Sequence, residues 1–365
     1  MAAEQIFRFG IVGCGTIGPT HAGAIQQIAN ARLVAASDVV WERAQEAARK
    51  FHAPHAYATA QALIADPDVD IVCVCTPSGT HADIAVAALH AGKHVIIEKP
   101  VEVSLEACDR IIAAEEETGK KVTVISQHRF DAATAVVKEA IDSGKLGRIV
   151  LADASVKWWR TQAYYDSGDW RGTWALDGGG ALMNQGVHTV DLLQWLTGGV
   201  ASLYALTRTA AHERIEVEDV AVAALTFTNG AVGTLTATTA AFEGFPVRID
   251  IYGTEGSAVI EGDRLKTMTF KTGETYATEE AAAHALSVAH GGTASVKDET
   301  SRRSEAADPG AVWGDAHRAQ IEQFLQAIRT NTSPLIDSRA ARKPLEIIRA
   351  VYESSRTGLP VTIQS

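Results

Sequence analysis

The chain has 365 residues, 46% hydrophobic and 21% charged, with a formal net charge of −11. That length suits two domains better than one core, and the composition excludes a disordered or fibrous chain. The acidic balance, with no basic block, argues against nucleic acid or an anionic membrane as partner, and no run reaches the ~20 apolar residues of a membrane span.

Residues 1–10 lack the apolar core and cleavage pattern of a signal peptide. Cys14, Cys73, Cys75 and Cys108 show no metal-ligand spacing. They read as small buried hydrophobes of a reducing compartment, so a cytoplasmic location is expected. The first third alternates apolar runs with helix-period segments. Strands are expected at Phe7–Val12, 33–37, 70–75, His94–Ile97 and 121–126, and helices at 16–28, 42–51, His81–His90 and 105–117. Such alternation predicts a parallel sheet covered by helices.

After about Arg129 the pattern changes. A helix over 135–142 and a strand over 149–158 precede a strong helix over 180–196, stopped by Gly198-Gly199. Alternating runs follow at 201–209, 220–228 and 232–239, the last two joined by Asn229-Gly230, a hairpin signal. Strands at 248–252 and 257–261 flank a second turn. Residues 278–309 have little periodicity and read as a surface excursion, and helices at 317–329 and 344–355 close the chain. The expected fold class is α/β: a dinucleotide-binding domain over 1–126, then an α+β domain over 127–365 with a large, mostly antiparallel open sheet.

Gly13-Cys14-Gly15-Thr16-Ile17-Gly18 follows the first strand and opens the first helix. In a Gly-x-Gly-x-x-Gly run of this kind the first glycine permits the turn, the second admits a pyrophosphate to the backbone, and the third lets helix and strand close up. The phosphates then meet free N–H groups at the helix start. Asp38, twenty residues after Gly18, suits ribose hydroxyls and repels a 2′-phosphate, which favours NAD; nearby Arg43 leaves NADP open. Thr76, Pro77 and His81 lie where a third strand ends, on the carboxyl edge where such sheets bind ligands. Glu98-Lys99-Pro100 ends the next strand on that edge. A lysine there can steady a developing alkoxide, although lysine beside a turn proline is also an ordinary surface arrangement.

Asn184 and His188 lie four apart on the strong helix and so share a face, with Gly178-Gly179-Gly180 before them leaving room for a ligand or another backbone. A histidine there can take a hydroxyl proton, or can be a satisfied core residue. Asn184, His188 and Asp191 make a poor metal set without cysteine, and no metal is expected. The aromatic and basic stretch Trp158-Trp159-Arg160, Tyr164-Tyr165, Trp170-Arg171 suits a carbohydrate pocket or pins a loop.

The glycine fingerprint, Glu98-Lys99-Pro100 and the run from Gly178 to His188 together resemble the Gfo/Idh/MocA oxidoreductases, over almost the whole chain. The resemblance implies a Rossmann domain followed by an α/β domain whose open sheet supports homodimers or homotetramers. It implies NAD, or NADP, as cofactor and a sugar-like or cyclitol-like alcohol as substrate. It places Lys99 and His188 at the reacting alcohol, with Asn184 beside them. Through it, Gln127, Trp170 and Arg171 join the cofactor-binding set with Glu98, and Arg129 joins the substrate set with Arg160 and Tyr164 of the aromatic stretch. Asn184 stands where inositol dehydrogenase-like members carry aspartate, which weakens inositol as the specific substrate. A glycoside-cleaving enzyme with an internal hydride shuttle and a non-catalytic NAD-binding regulator are the alternatives.

Overall fold

The computed structural model describes residues 5–286 and 314–363. The chain divides into two compact units, Met1–Gln127 with Val312–Arg342, and His128–Ala311 with Lys343–Ser365.

In the first unit the chain runs β1 (Phe7–Val12), α1 (Gly18–Gln26), β2 (Ala31–Ser37), α2 (Trp41–Lys50), β3 (His55–Tyr57), α3 (Ala60–Ile64), β4 (Ile71–Val74), α4 (His81–His90), β5 (His94–Ile97), α5 (Leu105–Thr118) and β6 (Val122–Val124). The strands form a six-stranded sheet in the order β3-β2-β1-β4-β5-β6, parallel throughout. The order steps outward in both directions from β1 and β4, so the carboxyl ends of these two strands flank the crevice where such sheets take ligands. All four residues of β4 are buried, as a central strand covered on both faces requires. α5 starts where the Ser104 side chain accepts the Ala107 N–H and stops at Gly119, whose φ of 65° is left-handed. The sequence reading passed over β3 and α3, which have three and five residues, too few for a period to register.

The second unit runs α6 (Ala132–Asp142), β7 (Ile149–Lys157), α7 (Gln162–Tyr165), α8 (Val187–Thr197), β8 (Val200–Arg208), β9 (Val220–Phe227), β10 (Val232–Thr238), β11 (Arg248–Gly253), β12 (Gly256–Glu261), β13 (Arg264–Phe270), β14 (Thr275–Tyr276) and α9 (Glu279–Leu286). After α10 (Gly314–Thr330) and α11 (Ser338–Thr357) comes β15 (Val361–Thr362). Nine strands line up as β14-β13-β12-β11-β7-β10-β9-β8-β15, with β7–β10 the parallel pair and the others antiparallel. The expected hairpin is present: Gly230 takes φ 84°, and the Asn229 side chain accepts the Ala231 N–H at 2.9 Å. Along β9 buried and exposed residues alternate, so one sheet face carries core and the other faces outward.

Two expectations need revision. A single cut at residue 127 is not what the chain does, because Val312–Arg342 returns to the first unit. There Ile321, Phe324 and Leu325 of α10 are buried in one cluster with Phe7, Phe9, Ile25 and Ile71. Nor is 278–309 irregular from its start: Glu279–Leu286 is helical, and Glu279 is buried, accepting the Leu265 N–H at 2.9 Å. Residues 287–309 of that expected excursion lie outside the described residues.

Candidate active site

In the first unit the glycine loop separates into three physical roles. Gly13 has φ 96°, and a Cβ there would lie 2.5 Å from the Cys75 carbonyl oxygen. A Cβ on Gly18 would lie 2.5 Å from the Gly13 oxygen, so both positions exclude side chains by packing within the protein. Among the described residues a Cβ on Gly15 would meet nothing within 4 Å, and both Gly15 and Thr16 are exposed. The N-cap residue of α1 is Ile17, which offers no side-chain hydrogen bond to the first N–H groups, and a proline occupies the first turn. Exposed backbone donors before an uncapped helix start fit the pyrophosphate of a dinucleotide. The Asp38 carboxylate lies beside this loop, accepting the Cys14 and Val40 N–H groups at 2.8 Å each. Arg43 is exposed in the first turn of α2.

Along the carboxyl edge, His81 is buried with Nδ1 2.9 Å from the Pro100 oxygen and Nε2 2.9 Å from the Thr76 oxygen. It ties the loop after β4 to the turn after β5; burial lowers its proton affinity despite these carbonyls. The Thr80 hydroxyl donates to the Pro77 oxygen at 2.7 Å. Lys99 is half-buried, and its bond to Pro100 is cis. Glu98, expected to bind cofactor, instead turns inward: it is 5% exposed, with Oε1 2.7 Å from His21 Nε2 and 3.4 Å from His317 Nε2. Burial works to raise its proton affinity, but the two imidazoles outweigh it and hold the carboxyl well below the usual range. Gln127, half-buried, ends the first unit's leading segment. The four cysteines are buried thiols; burial pushes Cys14 and Cys108 up to about 12.

In the second unit the strong helix of the sequence is broken. Ala181–Gln185 forms one wide turn, closed by the Gly186 N–H on the Ala181 oxygen at 2.9 Å, and α8 begins at Val187. Asn184 and His188 therefore sit on either side of a change in helical pitch, a frequent device at functional sites. The triple glycine serves backbone contact: a Cβ on Gly180 would lie 1.9 Å from the Glu218 oxygen, and one on Gly179 would lie 2.1 Å from the Tyr352 hydroxyl. The buried Glu218 carboxylate accepts the Gly180 N–H at 2.9 Å and the Leu182 N–H at 2.7 Å.

Asn184 donates to the buried Asp177 through a short hydrogen bond and accepts from Gln185 at 3.0 Å. Gln185 accepts from Arg160 at 2.9 Å and donates to the Tyr164 hydroxyl at 3.0 Å, which also accepts from Arg171 at 2.7 Å. Thus Asn184, Arg160, Tyr164 and Arg171 belong to one hydrogen-bond network through Gln185 and Tyr164. The Arg171 guanidinium lies 4.3 Å from the Tyr164 ring and 4.4 Å from that of Trp170. Behind it, His212 bridges Asp219 and the Arg160 carbonyl at 2.9 Å each, which fixes the Arg160 backbone.

Arg129 departs from its expected substrate role. It is 5% exposed and binds Asp191 through two hydrogen bonds of 2.8 and 2.5 Å, with its guanidinium 4.9 Å from the Trp195 ring. Its charge is neutralised inside the fold, and Asp191 is likewise engaged. The sequence reading missed Gln185, Asp177, Glu218 and His128, since none stands in a recognisable spacing. The His128 ring packs edge-on to His188 with centroids 5.1 Å apart, and its Nδ1 lies 2.7 Å from Asp131.

Known proteins match this arrangement. A family model described as an oxidoreductase family with an NAD-binding Rossmann fold matches residues 7–126, and one for the GFO/IDH/MocA C-terminal domain matches residues 134–259. The chain is 30% identical to the myo-inositol 2-dehydrogenase of Thermotoga maritima, over 72% of this chain and 77% of that one. It is 28% identical to the levoglucosan dehydrogenase of Pseudarthrobacter phenanthrenivorans, over 71% and 75%. The WlbA dehydrogenase of Bordetella pertussis, solved in complex with NADH and UDP-GlcNAcA, is similar with a TM-score of 0.85 and 33% identity, covering 100% of both chains. With its NAD-binding Rossmann domain and its mostly antiparallel second domain, the chain belongs to the Gfo/Idh/MocA family of oxidoreductases.

Proposed function

We propose that this protein is a dehydrogenase that moves a hydride between NAD and a CH–OH carbon of a sugar-like substrate. The observation that carries this is the first unit's loop, in which Gly15 faces open space before an uncapped helix start, with the Asp38 carboxylate alongside. NAD, when bound, supplies the hydride acceptor. Gly13, Gly15, Thr16, Ile17 and Gly18 hold the pyrophosphate, Asp38 and Arg43 attend the adenosine end, and Thr76, Pro77 and His81 shape the edge. Lys99 donates a hydrogen bond to the reacting oxygen and steadies its charge. His188 takes the hydroxyl proton on Nε2 or Nδ1. Asn184, Arg160 and Tyr164 orient the remaining hydroxyls.

Arg171 favours a substrate that carries an anionic group. It is half-buried between two aromatic rings and has no carboxylate partner among the described residues. The WlbA relative, crystallised with a nucleotide-linked sugar acid, is consistent with this. The outward face of the large sheet carries Tyr204, Leu206, Val222 and Val232, each 42–54% exposed, which supports a homodimer or homotetramer.

The test follows nicotinamide absorbance against neutral sugars, cyclitols, sugar acids and UDP-linked uronic acids, with NAD and NADP in parallel. Sustained NADH production with one class supports the dehydrogenase. Lys99→Met then lowers turnover by roughly 10²-fold or more with NAD affinity little changed. Unaltered turnover in that variant removes Lys99 from the chemistry. Bound NAD with no net NADH across the panel favours the internal shuttle or a regulator.

A further inference from the structure

The cluster of His21, Glu98 and His317 lies inside the first unit and is used by none of the steps above. His21 is on α1, whose start holds the loop, His317 is on α10, and Glu98 follows β5. All three are buried, at 0%, 5% and 1% exposure. The two imidazole Nε2 atoms converge on one carboxylate oxygen, at 2.7 and 3.4 Å, and the rings meet edge-on with centroids 5.3 Å apart. The other oxygen accepts the backbone N–H of Lys99 at 3.1 Å.

We propose that this cluster is a positioning device for Lys99, in which the Glu98 carboxylate fixes the Lys99 peptide and supplies the negative charge that keeps its side chain an ammonium ion. The inference rests on the assignment of Lys99 to the reacting oxygen.

The protonation of the cluster follows from its geometry. Among the described residues His21 Nδ1 is buried without a hydrogen-bond partner, so a proton there would be stranded. The His21 proton therefore sits on Nε2, facing Glu98, and the ring is neutral. The other titratable groups facing the carboxylate are Cys73 on β4, Cys75 just after it and His81 on α4; burial keeps both thiols protonated and lowers the proton affinity of His81. With His21 neutral, the Glu98 carboxylate keeps its negative charge one residue from Lys99, whose N–H it accepts. A buried anion of this kind is stabilised most by a cation beside it. The same trio has the donor types of a metal site, but at 2.7 Å the His21–Glu98 pair is at hydrogen-bonding distance, closer than two ligands of one ion usually lie.

The experiment measures the titration of Lys99 directly, by trace acetylation and mass spectrometry across pH 7–11, in wild type and in Glu98→Gln. Loss of a unit charge at the ~8 Å a lysine side chain permits lowers the Lys99 midpoint by about one pH unit. The alkaline limb of kcat/KM moves by the same amount, and Glu98→Asp, which keeps the charge, restores most of both. Equal Lys99 midpoints in wild type and Glu98→Gln overturn the proposal. The labelling needs no turnover, so it still reports if Lys99→Met shows that Lys99 is not catalytic. Should Glu98→Gln fail to fold, ¹⁵N NMR of histidine in the unaltered protein decides: the Nε2–H neutral tautomer of His21 at pH 8 is expected. An imidazolium there, or stoichiometric zinc in the purified protein, cancels the charge and overturns the proposal.

Discussion

Glu218 offers a quantitative check on how the His188 segment is held. Its carboxylate is 3% exposed and takes three donors: the Gly180 and Leu182 N–H groups, and the Tyr352 hydroxyl at 3.1 Å. Burial nevertheless outweighs them and raises its pKa from 4.5 to about 7. The folded pKa lies above the unfolded one, so the stabilising contribution is complete below pH 4.5 and is lost as pH rises through 7. The difference of about 2.5 units, at about 1.36 kcal/mol each, is about 3 kcal/mol. Glu218→Gln removes the titration and also turns one donor-bearing nitrogen toward a backbone N–H, at a pH-independent cost of about 1–3 kcal/mol. The variant therefore melts below wild type at pH 5, and by pH 8 the wild type has lost about 2.5 kcal/mol, roughly 5–10 °C, relative to it, so the gap narrows or reverses. Calorimetry at pH 5, 6, 7 and 8 checks this; a constant gap across that range refutes the reasoning. Turnover should fall in the variant at unchanged NAD affinity, because the anchored turn leads to Asn184 and His188 and not to the dinucleotide loop.

Gly15→Ala adds a methyl group into open space, so calorimetry should find Tm unchanged, while NAD titration shows affinity lower by about tenfold or more. Unchanged affinity would remove the loop from cofactor binding. Asp38→Asn should shift the NADP-to-NAD preference toward NADP by about tenfold, read from kcat/KM with each cofactor, since it deletes the charge that repels a 2′-phosphate. His188→Ala should abolish the acid limb of the kcat/KM profile for alcohol oxidation, where protonation of the base stops proton transfer; a retained limb assigns the base elsewhere.

Much of this fold is written locally. β1, α4 and β5 occupy the residues expected of them, because central elements of a covered parallel sheet are continuous apolar runs or strongly periodic ones. β13 was not legible from its own residues, since Arg264–Phe270 is largely polar, although Gly262 and Asp263, both with positive φ, form a two-residue hairpin turn before it. The site divides the same way. Gly15, Asp38, Lys99 and His188 stand in motifs, whereas Glu98 meets His317, and Gly180 meets Glu218, across long stretches of chain. No periodicity encodes such pairings, since they depend on which elements the tertiary fold brings together. Arg129 shows the converse: its motif position suggests a ligand, but Asp191, 62 residues further on in α8, claims the charge.

The two glycine runs make the distinction physical. Gly13, Gly18, Gly179 and Gly180 are each required by a protein atom 1.9–2.5 Å from the missing Cβ, so substitution there tests folding. Gly15 alone among the fingerprint glycines faces nothing within 4 Å among the described residues, and none of these explains its lack of a side chain. A position that packing leaves unconstrained, set between two that packing forbids and before an uncapped helix, is where a ligand supplies the constraint. The triple glycine has no such gap at Gly179 and Gly180, and its contact with Glu218 and Tyr352 instead sets the pitch change that presents Asn184 and His188. One run of glycines thus leaves its middle position open and the other is closed by the protein's own atoms, although in sequence they look alike.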